Sequence, residues 1–504
     1  MIWLAQQSGI LKNVSNNVVI NLFINYGVIV GCVGGICLFG SLPLFYFHYK
    51  MSAVDYQKNI AVTFLPWCGK AIVGAISDTY PIAGWHKRWL LVAASVGLCG
   101  GMLGVGMSTA PGDALGWLFV ASVCIMINST LWEGQYANNI RFLKADPRGI
   151  SFAWGGYMLG TAGGAVIVST MAGMIQNAYF MGAAMAVTPL PFLLLLPDIT
   201  LQGDRENTLI DQGLLSNVEP SKNDLRGKRA SSVEWALAWG IALLSVVLIV
   251  VIETLRGYVV TPFLVVVGTG IGATMAVLRV MKGNTTLAAL CIMSMAHHIF
   301  WVDITGALDA FYTADEECFL GGPGFDLNFY LGVVQIIGSA VGLGAAAFYA
   351  FVVAGFDTRT ALLGAVTFRI ATGIFDLVIV QRWNRVYLGV DDKAFFVMGD
   401  AVASSAAGML AMLPIKTLAS RVIAGGGTTT EYAFVDSYMF LGQGLSRVLG
   451  MGLMTSLGVR ADARGGCDFT MLPILIAIAH CVMPILSLTT AWAIVPRAII
   501  KREN

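Results

Sequence analysis

Long apolar stretches separated by short polar segments dominate the pattern of this 504-residue chain. A helix needs roughly 20 mostly apolar residues to cross the hydrocarbon core of a bilayer. None of the stretches alternates as the strands of a membrane barrel do, so the pattern predicts fourteen transmembrane helices. They are expected at 20–45, 56–78, 89–108, 115–136, 150–174, 178–196, 233–254, 258–281, 285–309, 327–354, 358–381, 395–416, 429–456 and 470–496.

Composition supports the same fold class. Hydrophobic residues make up 57% of the chain and charged residues 12%, whereas soluble domains carry about 25% charged residues. Most of the surface must therefore face lipid, and we predict an all-α polytopic membrane protein. The net charge of +1 gives no indication of a nucleic-acid partner, and we expect none.

The distribution of Lys and Arg predicts the orientation, because cytoplasmic loops are enriched in both. With the N-terminus inside, inside segments hold nineteen of these residues and outside segments eight. This count places Lys416 in an inside loop and Lys58 in an outside loop. We therefore expect the terminal segments 1–19 and 497–504 in the cytoplasm. We also expect the plasma membrane as the location, with an organelle membrane as the alternative.

One long hydrophilic segment, 197–232, follows the sixth stretch and predicts a cytoplasmic linker. The next two stretches are apolar nearly throughout, and we interpret 233–281 as an inserted transmembrane hairpin. The remaining regions, 20–196 and 285–496, then form two six-helix bundles. A six-and-six arrangement is typical of the major facilitator folds, whose halves are related by an axis along the membrane normal.

The segment from Lys70 to Arg88 concentrates charge in an otherwise apolar region. Asp78 lies at the predicted cytoplasmic end of one helix, and the helix that begins near Thr428 starts at the same membrane face. Since a helix N-terminus carries partial positive charge, we expect Asp78 to contact it and hold a cytoplasmic gate shut. Alternatively, the basic residues only orient the chain. The predicted gating motif comprises Gly74, Asp78, Pro81, Gly84, Lys87, Arg88 and Glu431.

The spacing K-x-x-x-G-x-x-S-D-x-x-P-x-x-G-W-x-K-R in this segment resembles the folate–biopterin transporter (BT1-like) family of the major facilitator superfamily. The stretches at 136–156 and 412–437 also resemble that family, and the inserted pair resembles its protozoan-type branch. Ser129 and Arg447 depart from the family pattern, where an acidic residue and Asn are more usual. The resemblance implies a secondary transporter of folate, pterins or a related metabolite such as S-adenosylmethionine.

Ionisable residues within membrane helices cost about 2.5–3.5 kcal/mol each on insertion scales, so they are candidates for function. Nine such residues are singled out: Lys70, Glu133, Asp303, Arg369, Asp376, Asp400, Glu431, Asp436 and Arg447. For a pterin-like ligand, aromatic rings would stack, a carboxylate would bind the guanidine-like edge, and Lys or Arg would bind an acidic tail. The predicted substrate-binding or coupling residues are Lys70, Glu133, Trp154, His298, Asp303, Arg369, Asp400 and Arg447.

His297, His298 and Asp303 allow three interpretations. A His–Asp combination can carry a proton because His titrates near neutrality, which favours proton coupling. The same residues could instead serve a membrane-embedded enzyme or a receptor, and the histidines could simply pack. The other histidines do not fall at matching positions, so we expect a transporter without a metal site or enzymatic activity. We also expect a monomer without a cofactor.

Nine cysteines are scattered along the chain without metal-ligand spacing. Two of them, Cys318 and Cys467, lie in predicted outer loops exposed to an oxidising medium. A disulfide between these two can form there, and most of the others are expected to pack within helices.

Overall fold

The computed structural model describes residues 24–83, 85, 87–143, 150–194, 232–254, 260–282, 284–424, 429–461 and 466–494. The predicted terminal segments 1–19 and 497–504 lie outside the described residues, as does the linker 197–232 apart from Ser232. One residue of the predicted gating motif, Gly84, also lies outside them.

Helices make up most of the described chain, and they fall into three groups. The N-terminal group contains α1 (Asn25–His48), α2 (Ala53–Thr79), α3 (Arg88–Met107), α4 (Pro111–Leu143), α5 (Ile150–Thr170), α6 (Ile175–Ala186) and α7 (Leu190–Leu194). The middle pair is α8 (Ser232–Thr254) and α9 (Thr261–Val280). The C-terminal group contains α10 (Thr285–Ile299), α11 (Thr305–Tyr312), α12 (Asn328–Gly355), α13 (Thr358–Val380), α14 (Trp383–Val386), α15 (Asp392–Ala424), α16 (Thr429–Leu457) and α17 (Leu472–Ile494).

Helix lengths confirm the prediction of an all-helical polytopic membrane protein. Among the described residues, nine helices are long and apolar enough to cross a membrane. The count reaches ten if α5 and the segment Ala172–Ala186, bent by 72° against each other, form one span. The helices α8 and α10 contain shorter apolar segments, and α16 carries three ionisable residues. Each of the fourteen predicted stretches nevertheless overlaps at least one helix.

The predicted continuous span 285–309 is wrong, because residues 300–304 are not helical and separate α10 from α11. Side chains from other helices satisfy the freed backbone groups. The Ser446 hydroxyl donates to the carbonyl of Trp301 at 2.7 Å and accepts from the N–H of Asp303 at 2.8 Å. A Cβ at Gly450 would lie 2.0 Å from the Asp303 carbonyl, so α16 can approach the break only with glycine there. Such a break is tolerated at membrane depth when protein groups replace the lost hydrogen bonds.

The N-terminal and C-terminal groups meet along several helix pairs, and hydroxyl hydrogen bonds join two of them. Between α2 and α16, the N–H of Ala71 donates to the Ser437 hydroxyl at 3.0 Å. Between α5 and α12, the hydroxyls of Thr161 and Ser339 lie 3.1 Å apart. The middle pair lies beside the first of these contacts, because α8 packs on α2 and the hydroxyl of Tyr438 on α16 donates to the α9 carbonyl of Ala273.

A two-stranded hairpin held by a disulfide lies beyond the C-terminal end of α16. The strands β1 (Arg460–Ala461) and β2 (Cys467–Asp468) pair antiparallel, and Cys467 forms a disulfide with Cys318. The two Cα atoms are 5.2 Å apart. The disulfide joins the loop after α11 to the hairpin after α16, at the opposite end of α16 from its first turn.

Candidate functional site

Asp78, in the last turn of α2, contacts the first turn of α16. Its carboxylate accepts hydrogen bonds from the backbone N–H and from the hydroxyl of Thr430, both at 2.9 Å. The first N–H groups of a helix lack partners within the helix and carry partial positive charge, so a carboxylate satisfies both. Gly74 allows this close approach, because a Cβ there would lie 3.0 Å from the Thr430 Cα.

The other described residues of the predicted motif lie near this contact in the chain. Lys87 is buried, and the Arg88 guanidinium lies 4.8 Å from the Trp85 ring centroid. Pro81 is exposed, and Glu431 is partly buried beside Thr430. The Asp78–Thr430 pair is therefore a contact through which this motif joins the two helix groups.

A buried ion cluster lies farther along the same helices. The Lys70 ammonium is 2.5 Å from a carboxylate oxygen of Glu133 on α4 and 2.5 Å from one of Asp436 on α16. Lys416 on α15 forms an ion pair with Asp436 and lies 3.7 Å from Glu133. All four side chains are at most 3% exposed. The cluster holds two positive and two negative groups, so each buried charge has an opposite partner.

The structure corrects the expected loop positions of two lysines. Lys416 is buried within α15 rather than in an inside loop, because the carboxylate pair of Glu133 and Asp436 needs a second cation. Lys58 is likewise buried within α2 rather than in an outside loop. Trp154 lies beside the cluster, with its ring centroid 5.8 Å from the Lys416 ammonium.

A cavity of about 500 Å³ lies within the C-terminal group. It brings together five of the predicted substrate or coupling residues: His298, Asp303, Arg369, Asp400 and Arg447. The remaining three, Lys70, Glu133 and Trp154, belong to the ion cluster and its surroundings. Further polar and aromatic residues of the wall are His297, Trp301, Asp309, Tyr312, Tyr330, Asp376, Phe396 and His480.

Asp303 and Arg447 neutralise each other at the cavity wall. The Arg447 Nε donates to the Asp303 carboxylate at 2.9 Å, and the guanidinium lies 3.8 Å from the centroid of the Phe64 ring. The other oxygen of Asp303 accepts from the N–H of Thr305 at 3.1 Å, which caps the start of α11. This pair therefore fixes the helix break to α16.

Arg369 is held without a carboxylate partner among the described residues. Its guanidinium lies 4.1 Å from the Trp301 ring centroid and 3.3 Å from the Nε2 of His297. A guanidinium can only donate, so His297 Nε2 accepts, and the other ring nitrogen donates to the Ser487 hydroxyl at 2.9 Å. His297 is thus neutral in this arrangement, and Arg369 is a cation available to an anionic group in the cavity.

The acids of the cavity differ in their partners. Asp376 accepts from the Tyr312 hydroxyl at 2.7 Å and lies 3.4 Å from His480, whose ring stacks on Trp301 with centroids 4.6 Å apart. The carboxylate of Asp400 has no hydrogen bond or ion pair within the described part of the chain. His297, His298 and Asp303 line the same cavity, but His298 and Asp303 share no hydrogen bond. The Nδ1–H of His298 donates to the Ser294 carbonyl within α10, and Asp303 pairs with Arg447.

Membrane helices in two contacting groups, ionic contacts between those groups and a polar cavity among the helices are typical of membrane transporters. Solved structures share this fold. The chain superposes on a proton-dependent oligopeptide transporter with a TM-score of 0.60 at 12% identity, covering 96% of this chain and 99% of that one. It superposes on the E. coli xylose transporter XylE with a TM-score of 0.54 at 13% identity, covering 95% and 98%. The fold is that of the major facilitator superfamily.

The BT1 family model matches residues 31–504, so the chain belongs to the BT1 family of transporters and is not an enzyme. Two relatives are similar in sequence. A probable folate-biopterin transporter 6 of Arabidopsis thaliana is 21% identical over 408 residues, which are 80% of this chain and 69% of that protein. A folate-biopterin transporter of Synechocystis is 29% identical over 162 residues, 32% of this chain and 31% of that protein.

Proposed function

We propose that this protein is a proton-coupled secondary transporter that carries folate, pterins or similar small molecules by alternating access. The observation that carries the proposal is the cavity of about 500 Å³, which holds an available cation, an available carboxylate and aromatic walls. Family membership and the names of the two relatives support the ligand class. The regions 20–196 and 285–496 are the two moving bundles in this proposal, and 233–281 is the inserted hairpin.

Gating in this proposal uses the contacts at the Asp78 end of α2. Opening this face separates α2 from α16, so the Asp78–Thr430 hydrogen bonds and the ion cluster must break or rearrange. The gating motif would set the stability of this closed face, with Gly74 allowing the close contact. Lys70 and Glu133 would then act in coupling the two bundles rather than in contacting the ligand.

Ligand recognition in this proposal divides between two charged groups. Arg369 would bind a carboxylate tail, because charge-assisted hydrogen bonds from a guanidinium match a carboxylate in geometry. Asp400 would accept from the guanidine-like edge of a pterin ring, and the stacked pair of Trp301 and His480 would contact a planar ring. His298 and the Asp303–Arg447 pair complete the polar wall.

A cationic metabolite such as S-adenosylmethionine is a second candidate substrate. The cavity wall holds four carboxylates, from Asp303, Asp309, Asp376 and Asp400, but only two guanidiniums. This excess of acids favours a ligand with positive charge. The choice between the two ligand classes rests on transport measurements.

We also propose that the Asp78 face is cytoplasmic, which follows from the bias of Lys and Arg along the sequence. Both termini would then be cytoplasmic, and a monomer surrounded by lipid would act in the plasma membrane.

The substitution Arg369→Gln tests the ligand assignment. It removes the cation of the cavity and should lower the uptake of folate, which has an acidic tail, by about 10- to 100-fold, as expected for losing 1.5–3 kcal/mol of charged hydrogen bonding. Uptake of unconjugated biopterin should change by less than about threefold, because Asp400 and the aromatic wall remain. Initial rates in cells that express the protein provide the measurement.

The matched control is Arg359→Gln, on the same helix but outside the cavity, where the guanidinium contacts the Trp492 ring. This control should transport both compounds as the wild type does. Equal folate uptake by Arg369→Gln and the wild type would contradict the role of Arg369 as the anion site.

A further inference from the structure

We propose that Asp309 is the proton-binding carboxylate of this transporter, and that its protonation loosens the contact between the two bundles at the face opposite Asp78. The inference rests on the proposed function, because it assigns the coupling proton to a residue. Asp309 lies on α11, just after the break at residues 300–304 that separates α11 from α10.

The carboxylate of Asp309 joins the two helix groups through hydrogen bonds. One oxygen accepts from the hydroxyl of Tyr56 at 2.8 Å, and the other accepts from the hydroxyl of Tyr330 at 2.6 Å. Tyr56 lies in the first turn of α2, in the N-terminal group, whereas Tyr330 lies at the start of α12, in the C-terminal group. Only the bond to Tyr56 crosses between the groups.

A second contact at the same place strengthens the connection between α2 and α11. The amide of Gln57, next to Tyr56, donates to the carbonyl of Asp303 at 2.7 Å and accepts from the N–H of Gly306 at 2.6 Å. Gln57 is fully buried, so these bonds are shielded from water. The first turn of α2 therefore holds the break and the start of α11 through side chains on two consecutive residues.

Asp309 and Asp400 both lack a cation partner among the described residues, but of these two acids Asp309 is the one that is hydrogen-bonded to the N-terminal group. Asp303 pairs with Arg447, and Asp436 pairs with two lysines, whereas no Lys, Arg or His within the described residues forms an ion pair with Asp309. The cavity places Asp309 among the carboxylates of Asp376 and Asp400 and the neutralised Asp303–Arg447 pair. Burial among like charges disfavours an ionised carboxylate, so Asp309 is suited to bind a proton.

The cavity gives Asp309 access to protons and to the ligand site. Asp309, Tyr330 and Asp400 all line the same space, and Asp376 and Tyr312 lie along its wall. A proton that enters the cavity can therefore reach Asp309 without crossing the closed face at Asp78.

Protonation changes the hydrogen bonds of Asp309 in a defined way. The ionised form accepts from both tyrosines through charge-assisted bonds, which are roughly twice as strong as neutral ones. The protonated form gains one O–H donor and keeps only neutral acceptor oxygens, so the bond to Tyr56 weakens. Low pH should therefore favour opening at this face, and high pH should favour the closed joint.

The substitution Asp309→Asn tests the assignment in proteoliposomes, because Asn resembles a carboxyl group that is always neutral. The ratio of uphill accumulation, driven by a pH gradient, to substrate counterflow should fall at least tenfold. Counterflow itself should persist at a reduced rate, since exchange does not require the proton to leave. Accumulation by Asp309→Asn at the wild-type ratio would overturn the proposal.

Two tyrosine variants separate the cross-bundle bond from the carboxylate itself. Tyr56→Phe removes the bond between the groups, whereas Tyr330→Phe removes a bond of the same kind within the C-terminal group. Tyr56→Phe should change the pH dependence of uptake more than Tyr330→Phe does. Equal pH profiles for the two variants would contradict the role of the Tyr56 bond.

A measurement without substrate distinguishes this inference from the proposed function. Spin labels at Asp113→Cys and Leu320→Cys, both exposed at the face opposite Asp78, report the separation of the two groups by double electron–electron resonance. The distance distribution should shift to longer values on acidification, and Asp309→Asn should remove the pH response. If the distance between the labels still depends on pH in Asp309→Asn, the inference is overturned. If the wild-type protein shows no substrate counterflow, only the transport proposal is overturned.

Discussion

Replacing Lys70 with Met should destabilise the folded protein by about 3–5 kcal/mol, the range for removing one partner from a buried ion pair. The loss leaves the carboxylates of Glu133 and Asp436 buried with Lys416 as their only cation from the cluster. Thermal unfolding of the purified protein in detergent should show this as a clearly lowered midpoint. The double variant with Glu133→Gln should recover part of the loss, because it restores the balance of charge.

The matched control is Lys393→Met. The Lys393 ammonium also forms an ion pair, at 3.2 Å from Asp326, but both side chains are more than half exposed. Exposed pairs contribute at most about 1 kcal/mol, so this variant should unfold close to the wild type. Equal midpoints for Lys70→Met and Lys393→Met would show that the cluster does not hold the two helix groups together.

The substitution Asp78→Ala should lower the rate of uptake by at least about tenfold. It removes two hydrogen bonds to a charged group, each worth roughly 1.5–3 kcal/mol, from the contact that closes one face. The population would shift toward the state open at that face, so fewer molecules would complete the cycle. Ligand binding, measured as stabilisation against heat, should persist because the cavity is unchanged.

The control for this experiment is Asp113→Ala, an exposed acid in the first turn of α4 at the opposite end of the molecule. It should transport at the wild-type rate. Wild-type uptake by Asp78→Ala would contradict the gating role and leave the contact with Thr430 a packing feature.

Local patterns in the sequence predicted the helical architecture well. A long apolar segment predicts a membrane helix independently of its tertiary contacts. Helices therefore occur in all fourteen predicted stretches. The Asp78 contact could also be predicted from the sequence, because the prediction required only that two helix ends lie at the same membrane face. The break at residues 300–304 could not be predicted, since it depends on Ser446 and Gln57, which lie far away in sequence.

The candidate site was predicted only in part, for a different physical reason. The sequence indicates that Lys70 and Arg369 lie at membrane depth, but it does not indicate which side of its helix each occupies. Lys70 therefore proved to belong to the ion cluster, and Arg369 to the cavity. Asp309 was missed because it lies at the end of its predicted helix, where an acid is typical of a loop.

Transport by the purified full-length protein in proteoliposomes tests the central proposal most directly. With an acidic exterior, labelled folate or biopterin should accumulate above the outside concentration, and a protonophore should abolish that accumulation. S-adenosylmethionine, measured in parallel, identifies the alternative substrate class. Accumulation of none of the three compounds above the level of protein-free vesicles would contradict the account of this protein as a proton-coupled transporter of pterin-like molecules.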